Sequence, residues 1–337
     1  MPNPSRNEVH VDQVLTNLSI GWMQAQTDFI ADRVFPSVPV QKQSNRYFVY
    51  DRGDFFRSQM EKRAPATESV GGGYRIDNSP TYSCDVWAEH KDIDDQTRAN
   101  TDDPANADRD AAAYLSQQAL IAKDKQWVSQ YFKTSTWTGG TGGATDPAGV
   151  ASGPTGEQFV FWSVAGTSHP FADIRKQRYS IKQKTGYYPN TLVLGAQVWQ
   201  ILADHAEMLD RIKYTQTGIV STQLLAQALE LDNVYVASGI ENTAAETNAA
   251  SPQTMTGAFL AGKAAFLCYS APSPGLMQPS AGYTFSWTGL EGANALGGAI
   301  STIPMPHLKA DRVELEMAFD MKLVAADLGC FFNTAVA

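Results

Sequence analysis

Cysteine is scarce. The chain has three, Cys84, Cys268 and Cys330, in 337 residues, with no CxxC pair. This excludes a disulfide framework and the usual zinc spacings, and it fits a reducing compartment. Long apolar runs are missing as well: none approaches the ~18 residues of a membrane span. The first residues, MPNPSRNEVHVDQ, lack the apolar centre of a signal peptide, so the chain is expected to be soluble and not secreted by that route. Charge is sparse, at 18% of residues, and acidic groups outnumber basic ones 35 to 26, for a net charge of −9. Gripping nucleic acid needs the opposite balance. No internal repeat is present.

Hydrophobic residues make up 43% of the chain, including seven Trp, thirteen Tyr and fifteen Phe. That is too apolar for disorder, and the length suits one large domain or two moderate ones. Many aromatics with few charges suggest that part of the surface is covered by partners.

The most informative stretch is 28–57, DFIADRVFPSVPVQKQSNRYFVYDRGDFFR. Pro36 and Pro39 bias residues 34–41 to extended backbone. NRYFVYDRGDFFR (45–57) reads as a strand broken near Gly53, and PTYSCDVWAEHKD (80–92) as its partner, with Tyr82, Cys84 and Val86 on one side. Between them lie a charged tip and the Gly71-Gly72-Gly73 hinge. A long hairpin is marginal alone in water, so it is expected to lie on a neighbour.

Residues 103–133 read as one long helix capped by Asp102 or Asp103, with Pro104, Asp108 and Asp110 in or near its first turn. Ala111, Tyr114, Leu115, Ile121, Ala122, Val128 and Phe132 form one apolar stripe, and Leu120, Trp127 and Tyr131 a second. A helix is expected over 169–185, a buried strand at TLVLG (191–195), and a helix with Val198, Ile201, Leu202, His205, Met208, Leu209 and Ile212 on one face. Ser221 or Thr222 caps a shorter helix, and NVYVAS (233–238) and AAFLCYS (264–270) are strands. VELEMAFDMKL (313–323) alternates most cleanly of all.

Candidate chemistry is thin. His169 and Asp173 share a helix face but lack a third ligand for zinc. His205 reads as a hydrogen-bonded core histidine. The glycines at 139–143 are followed by no Lys-Ser or Lys-Thr, so they read as a flexible linker and not a phosphate loop. Arg175, Lys176, Arg178, Lys182 and Lys184 spread around a helix and read as a solvated face or salt-bridge partners rather than a nucleic-acid site. No nucleophile elbow, catalytic cysteine or carboxylate pair in a cleft can be assembled. No enzyme activity, cofactor or metal is therefore expected; an α+β hydrolase is the alternative from another class.

The order of arm, hairpin, long helix and strand–helix units resembles the major capsid proteins of tailed bacteriophages. The resemblance is carried by FIADRVFPSVPVQKQSNRYFVYDRGD, TLVLGAQVWQILADHAEMLDRIK and VELEMAFDMKL. It implies an α+β chain with the Hong Kong 97-like coat fold: an amino-terminal arm (1–40), an extended loop hairpin (41–92), a peripheral domain with a spine helix (93–189), an axial domain (190–304) and a return to the peripheral domain (305–337). It further implies pentamers and hexamers closing into an icosahedral shell around double-stranded DNA, in a virion assembled in the host cytoplasm. Portal and decoration proteins would be partners. No amino-terminal heptad pattern follows Met1, so a separate scaffolding protein is expected. Intersubunit contacts are expected at Arg57, Met60, Lys62, Arg63, Phe35, Tyr47, Phe48 and Tyr50, with residues 57–76 touching neighbours more than their own chain. An encapsulin-like compartment shares the implied fold and is the nearer alternative.

Overall fold

The computed structural model describes residues 23–100, 106–212, 220–245, 254–275, 277–290, 293–294 and 297–337. The expectations for residues 1–22, and the proposed caps at Asp102 and Asp103, lie outside them.

The strands that organise the molecule are β1 (Ser37–Val40), β2 (Asp85–Asp94), β3 (Thr191–Gly195), β4 (Asn233–Ala237), β5 (Ala265–Cys268), β6 (Gly282–Trp287), β7 (Gly298–Met305), β8 (Ala310–Leu323) and β9 (Gly329–Phe332). The helices are α1 (Ala107–Tyr131), α2 (Pro170–Thr185), α3 (Ala196–Ala203), α4 (Ala206–Ile212) and α5 (Thr222–Leu229). Single helical turns at Ala31–Val34 and Arg52–Phe55 and a short helix at Asp95–Asn100 complete the larger pieces.

Two sheets form. In the first, β8 is the hub: β2 runs antiparallel along 310–319 on one edge, β7 and β6 pair along 310–317 and 319–323, and β1 adds to β6 in parallel. The alternation that marks β8 in the sequence buries Val313, Phe319 and Met321, while its polar-side Ala318 is also buried. In the second sheet β3 is central, parallel to β4 and antiparallel to β5, which pairs in turn with β9. The β3 run TLVLG is buried along its whole length; a central strand covered on both faces has no reason to alternate.

These pairings cut across the divide drawn at residue 304. β6 lies before it and β7 runs across it, yet both pair with β8; β9 lies after it, yet it pairs with β5. The chain enters and leaves each sheet more than once, and local patterns carry no trace of which sheet a strand will join.

The long helix starts later than its sequence suggests, because Asn106 caps it by accepting from the Arg109 N–H at 3.0 Å. Its buried face is Ala111, Leu115, Gln117, Lys123, Asp124, Trp127 and Tyr131, which favours the second apolar stripe and leaves Tyr114 46% exposed. Two of the polar members, Lys123 and Asp124, hold the arm. One Asp124 carboxylate oxygen accepts the N–H groups of Ile30 and Ala31 at 2.8 and 2.7 Å, and Lys123 pairs with Asp32 at 2.5 Å. Asp124 is 1% exposed and its second oxygen has no partner. Burial therefore wins over the two N–H bonds and pushes the carboxyl up to about 6.

This has a sign. A carboxyl raised in the fold adds stability at low pH; the increment is complete below its unfolded value near ~4 and is lost as pH rises through about 6. Asp124→Asn keeps one oxygen for the arm and removes the charge. Its stability relative to wild type is expected to improve by on the order of 2–3 kcal/mol between pH 4 and pH 7. Urea titrations at the two pH values measure this, and a pH-independent difference would contradict it.

The predicted helix over 198–212 is two helices, α3 and α4. At His205 the imidazole Nδ1 takes the Glu207 N–H at 3.2 Å, and the His205 carbonyl accepts from Met208 and Leu209. A side chain that caps a new helix ends the previous one. The turn also leaves Leu209 49% exposed instead of on the buried face.

Two core clusters matter for function. One packs α2, α3 and α5 onto the second sheet around Leu192, Leu194, Leu267 and Phe332. The other joins the arm (Ile30, Val34, Phe35) to Trp127, Tyr131 and Trp137, to Phe266 of the second sheet and to Phe319 and Met321 of the first.

Cys84, Cys268 and Cys330 are buried, which pushes Cys84 up to about 11 and the other two further still. A folded chain at neutral pH is expected to leave all three unreacted with an aromatic disulfide reagent for as long as the fold persists, and to release three equivalents when denatured. A fast-reacting thiol in the folded state would contradict this burial.

Candidate assembly surface

The hairpin begins as two short antiparallel ribbons, Ser44–Arg46 with Thr81–Ser83 and Val49–Tyr50 with Ile76–Asp77. The expected strand over 45–57 is interrupted sooner than Gly53 implies. Asp51 accepts the Gly53 N–H at 2.8 Å and starts a helical turn, Arg52–Phe55. Arg75 forks onto Asp54 at 3.0 and 3.1 Å and reaches Asp51 at 3.1 Å. That guanidinium holds the Asp54 carboxyl below its usual range. Arg52 pairs with Asp327. Tyr50, Phe55 and Tyr74 form a triangle with ring centroids 5.5 to 5.9 Å apart.

Phe56 lies on Gly186, which ends α2 at φ +81°; a Cβ there would sit 2.8 Å from the ring. The base of the hairpin is thus tied to its own chain.

Beyond the base it stands exposed. Residues 55–79 are exposed throughout. The hydrogen bonds at the tip are local: Arg63 Nε donates to the Thr67 carbonyl and Thr67 Oγ1 to Ala64. Met60 is 95% exposed. Arg57, Lys62 and Arg63 are exposed with it.

The other expected contact residues divide. Phe48 is 65% exposed, whereas Tyr47 leans on Phe285 at 5.4 Å and Tyr50 joins the aromatic triangle. Phe35 is wholly buried and is removed from the surface set. Its ring sits against Tyr131 at 4.8 Å, Trp127 at 5.9 Å and Trp137 at 6.4 Å, as the peg that fixes the arm in its own core. Sequence reasoning missed Phe55, Phe56, Tyr74 and Ile76, exposed at 48%, 61%, 60% and 47%. The Phe-Phe doublet amid charges was the available signal.

The groups weighed for chemistry are hydrogen-bonded within their own chain. His205 Nδ1 accepts a backbone N–H, so its Nε2 carries the proton and donates to Ser168 Oγ at 2.9 Å; that hydroxyl donates onward to Val164 O. The polarity is the reverse of what activates a serine nucleophile. Asp173 accepts from Trp162 Nε1 at 3.1 Å, while His169 turns to Glu207 at 2.8 Å. Among the described residues no group of three or more His, Cys, Asp or Glu is placed to hold a metal ion, and no helix is long and apolar enough to cross a membrane.

Glycines 139–143 are not a loose linker at their start. Gly139 donates to Gly329 O at 2.9 Å, accepts from Ser180 Oγ at 3.0 Å, and has no room for a side chain. The α2 cations serve their own chain. Arg175 caps Ala228 O, Arg178 pairs with Glu230, and Lys184 donates to Thr138 O.

No protein-family profile matches the sequence. Two curated relatives do. The major capsid protein of Burkholderia phage BcepMu is 26% identical over 68% of this chain and 69% of its own length. The major capsid protein of Pseudomonas phage JBD67 is 24% identical over 97% of each chain. Among solved structures, a phage-related protein from Bordetella bronchiseptica superposes with a TM-score of 0.66 at 16% identity, covering 93% of this chain and 94% of the other. The mature capsid of bacteriophage PhiM1 gives 0.55 at 13% identity over 94% and 89%. An encapsulin from Synechococcus elongatus gives 0.53 at 9% over 96% and 94%. The chain therefore has the α+β Hong Kong 97-like coat fold, and the resemblance to tailed-phage major capsid proteins is borne out in both sequence and fold.

Proposed function

We propose that this chain is the major capsid protein of a tailed bacteriophage, a structural subunit that self-associates into pentamers and hexamers and closes an icosahedral shell. The observation that carries the reading is the match to a phage major capsid protein along nearly the whole of both chains. The outstretched hairpin supports it, because it leaves Phe48, Phe56, Met60 and Tyr74 65%, 61%, 95% and 60% exposed. Arg57, Met60, Lys62, Arg63, Phe48 and the half-buried Tyr47 and Tyr50 are the proposed contact residues.

The sheets suggest a revised division. The peripheral domain takes the first sheet with α1, including β6 to β8; the axial domain takes the second sheet, including β9. The shell encloses double-stranded DNA without sequence-specific binding, and an acidic chain suits a wall that must not hold its contents. A separate scaffolding protein, a portal and a decoration protein are the expected partners, and assembly takes place in the host cytoplasm. The subunit does no catalysis; the reversed polarity at His205 and Ser168 disfavours the hydrolase alternative.

Encapsulins share the fold, and the two named relatives favour the capsid reading over a cargo compartment. Sedimentation of the purified chain tests the proposal. Particles of hundreds of subunits are expected, and a monomer at every concentration would overturn it.

A further inference from the structure

Residues 24–40 are laid across both sheets, and one buried carboxylate sits midway. At the far end the Gln24 side-chain amide donates to the Ile240 carbonyl and accepts the Ile240 N–H, each at 2.8 Å. The Asp28 carbonyl accepts the Gly239 N–H at 3.2 Å, and the Asp28 carboxylate accepts from Ser238 Oγ at 2.8 Å. Residues 238–240 follow directly on β4, so this end grips the second sheet. At the near end β1 pairs with β6 of the first sheet, and Phe35 is pegged into the shared core. Between the two, the helical turn Ala31–Val34 hangs from Asp124 of α1 by the Ile30 and Ala31 N–H groups.

An asparagine would offer those N–H groups the same oxygen with no charge to bury. Asp124 instead brings a second, buried oxygen that has no partner. Its ionised form is therefore costly while the arm is docked and well solvated only when the arm is away. The charged groups on the surrounding elements are engaged elsewhere. On the arm, Asp32 pairs with Lys123 at 2.5 Å, and Arg33 lies over the Tyr235 ring at 5.6 Å. On α1, Lys125 pairs with Glu241 at 2.6 Å; on β8, Lys322 pairs with Asp320 at 3.1 Å. None of these cations pairs with Asp124, and the Asp32 charge opposes its ionisation. Tyr131, Tyr235 and Cys268 are pushed up by burial and bring no charge at neutral pH.

We propose that Asp124 is a proton-operated latch: protonated, it holds residues 24–34 across the two sheets, and ionised, it lets that segment lift away while Phe35 and β1 stay docked. Lifting removes the tie between α1 and residues 238–240, so the proton sets how firmly the second sheet is held to the first. The device is internal to one chain and stands or falls apart from the capsid reading. Its sign follows from linkage. Opening returns the carboxyl from about 6 to an ordinary value near ~4. Docking is therefore tightest below that ordinary value and weakens as pH rises through about 6.

Native-state hydrogen exchange of the full chain tests the latch, read by mass spectrometry on peptides covering 24–34 and on peptides of β3 and β5. Rates are corrected for the intrinsic pH dependence of exchange. In the wild type, residues 24–34 are expected to be less protected than β3 and β5, and to lose about tenfold or more in protection between pH 4 and pH 7. Asp124→Asn is expected to abolish that loss. Arm peptides that exchange only in step with β3 and β5 overturn the proposal, because the segment would then open only with the whole fold. A wild-type arm equally protected at both pH values overturns it too, as does a loss that persists in folded Asp124→Asn.

Asp32→Asn provides a second variant. It removes the carboxylate that opposes ionisation and frees Lys123, so the midpoint of the wild-type loss is expected to move to lower pH. An unmoved midpoint counts against the latch.

Discussion

Deleting residues 58–74, with a short Gly-Ser join, is expected to leave a folded, soluble chain that no longer closes into shells. The folding half follows from exposure. Every residue from 55 to 79 is exposed, and the hydrogen bonds of the tip stay within it. The core clusters draw nothing from 58–74. Surface changes away from caps, cores and buried pairs stay within about 0.5 kcal/mol, and the loss of the Tyr74 ring from its triangle adds a little. A melting temperature within a few degrees of wild type is therefore expected.

The assembly half follows from the opposite fact. The removed segment holds Met60, Lys62 and Arg63. A shell is the sum of many modest contacts, each made effectively intramolecular once the others exist. Removing one class of contact from every subunit is expected to abolish closure, as seen by electron microscopy. Normal shells from the deleted chain would contradict the account of the hairpin.

The second large effect is at the arm. Phe35→Ala is expected to cost about 3–5 kcal/mol, the range for emptying a buried aromatic site. The ring is 0% exposed among Trp127, Tyr131 and Trp137, and Gly282 packs so closely on it that a Cβ there would overlap it. Neighbours this rigid have little room to collapse into the void. Because the same cluster joins both sheets, the loss falls on the whole fold rather than on a fraying end. Urea unfolding of Phe35→Ala beside Phe35→Leu measures it, with leucine expected to recover part of the loss. A cost under about 1 kcal/mol for the alanine variant would show that the arm is not docked as described.

The contrast between these two segments shows what the sequence made legible. Elements whose environment is uniform along their length were readable. α1 announced itself by period and by the acidic residues of its first turn, β8 by alternation, and β3 by an unbroken apolar run. Features set by a distant partner were not. Asp124 reads as an ordinary polar helix residue until Ile30 and Ala31 arrive from more than ninety positions away. Phe35 sits in a Pro-punctuated, extended-looking stretch beside residues that are half-exposed, and its burial is decided by Trp127 and Trp137. The break at His205 depended on a backbone N–H being offered to an imidazole, which a hydrophobic period does not register.

For the surface, the charged tip was legible because it lacks any apolar pattern that could bury it.

The central claim is that this chain is completed by copies of itself. Electron microscopy of the purified protein, expressed alone and imaged by negative stain, tests it most directly. The account predicts closed or partly closed shells, or rings of five and six subunits, with density from each subunit crossing onto the next. A field of compact single particles that persists across concentration and salt would contradict it.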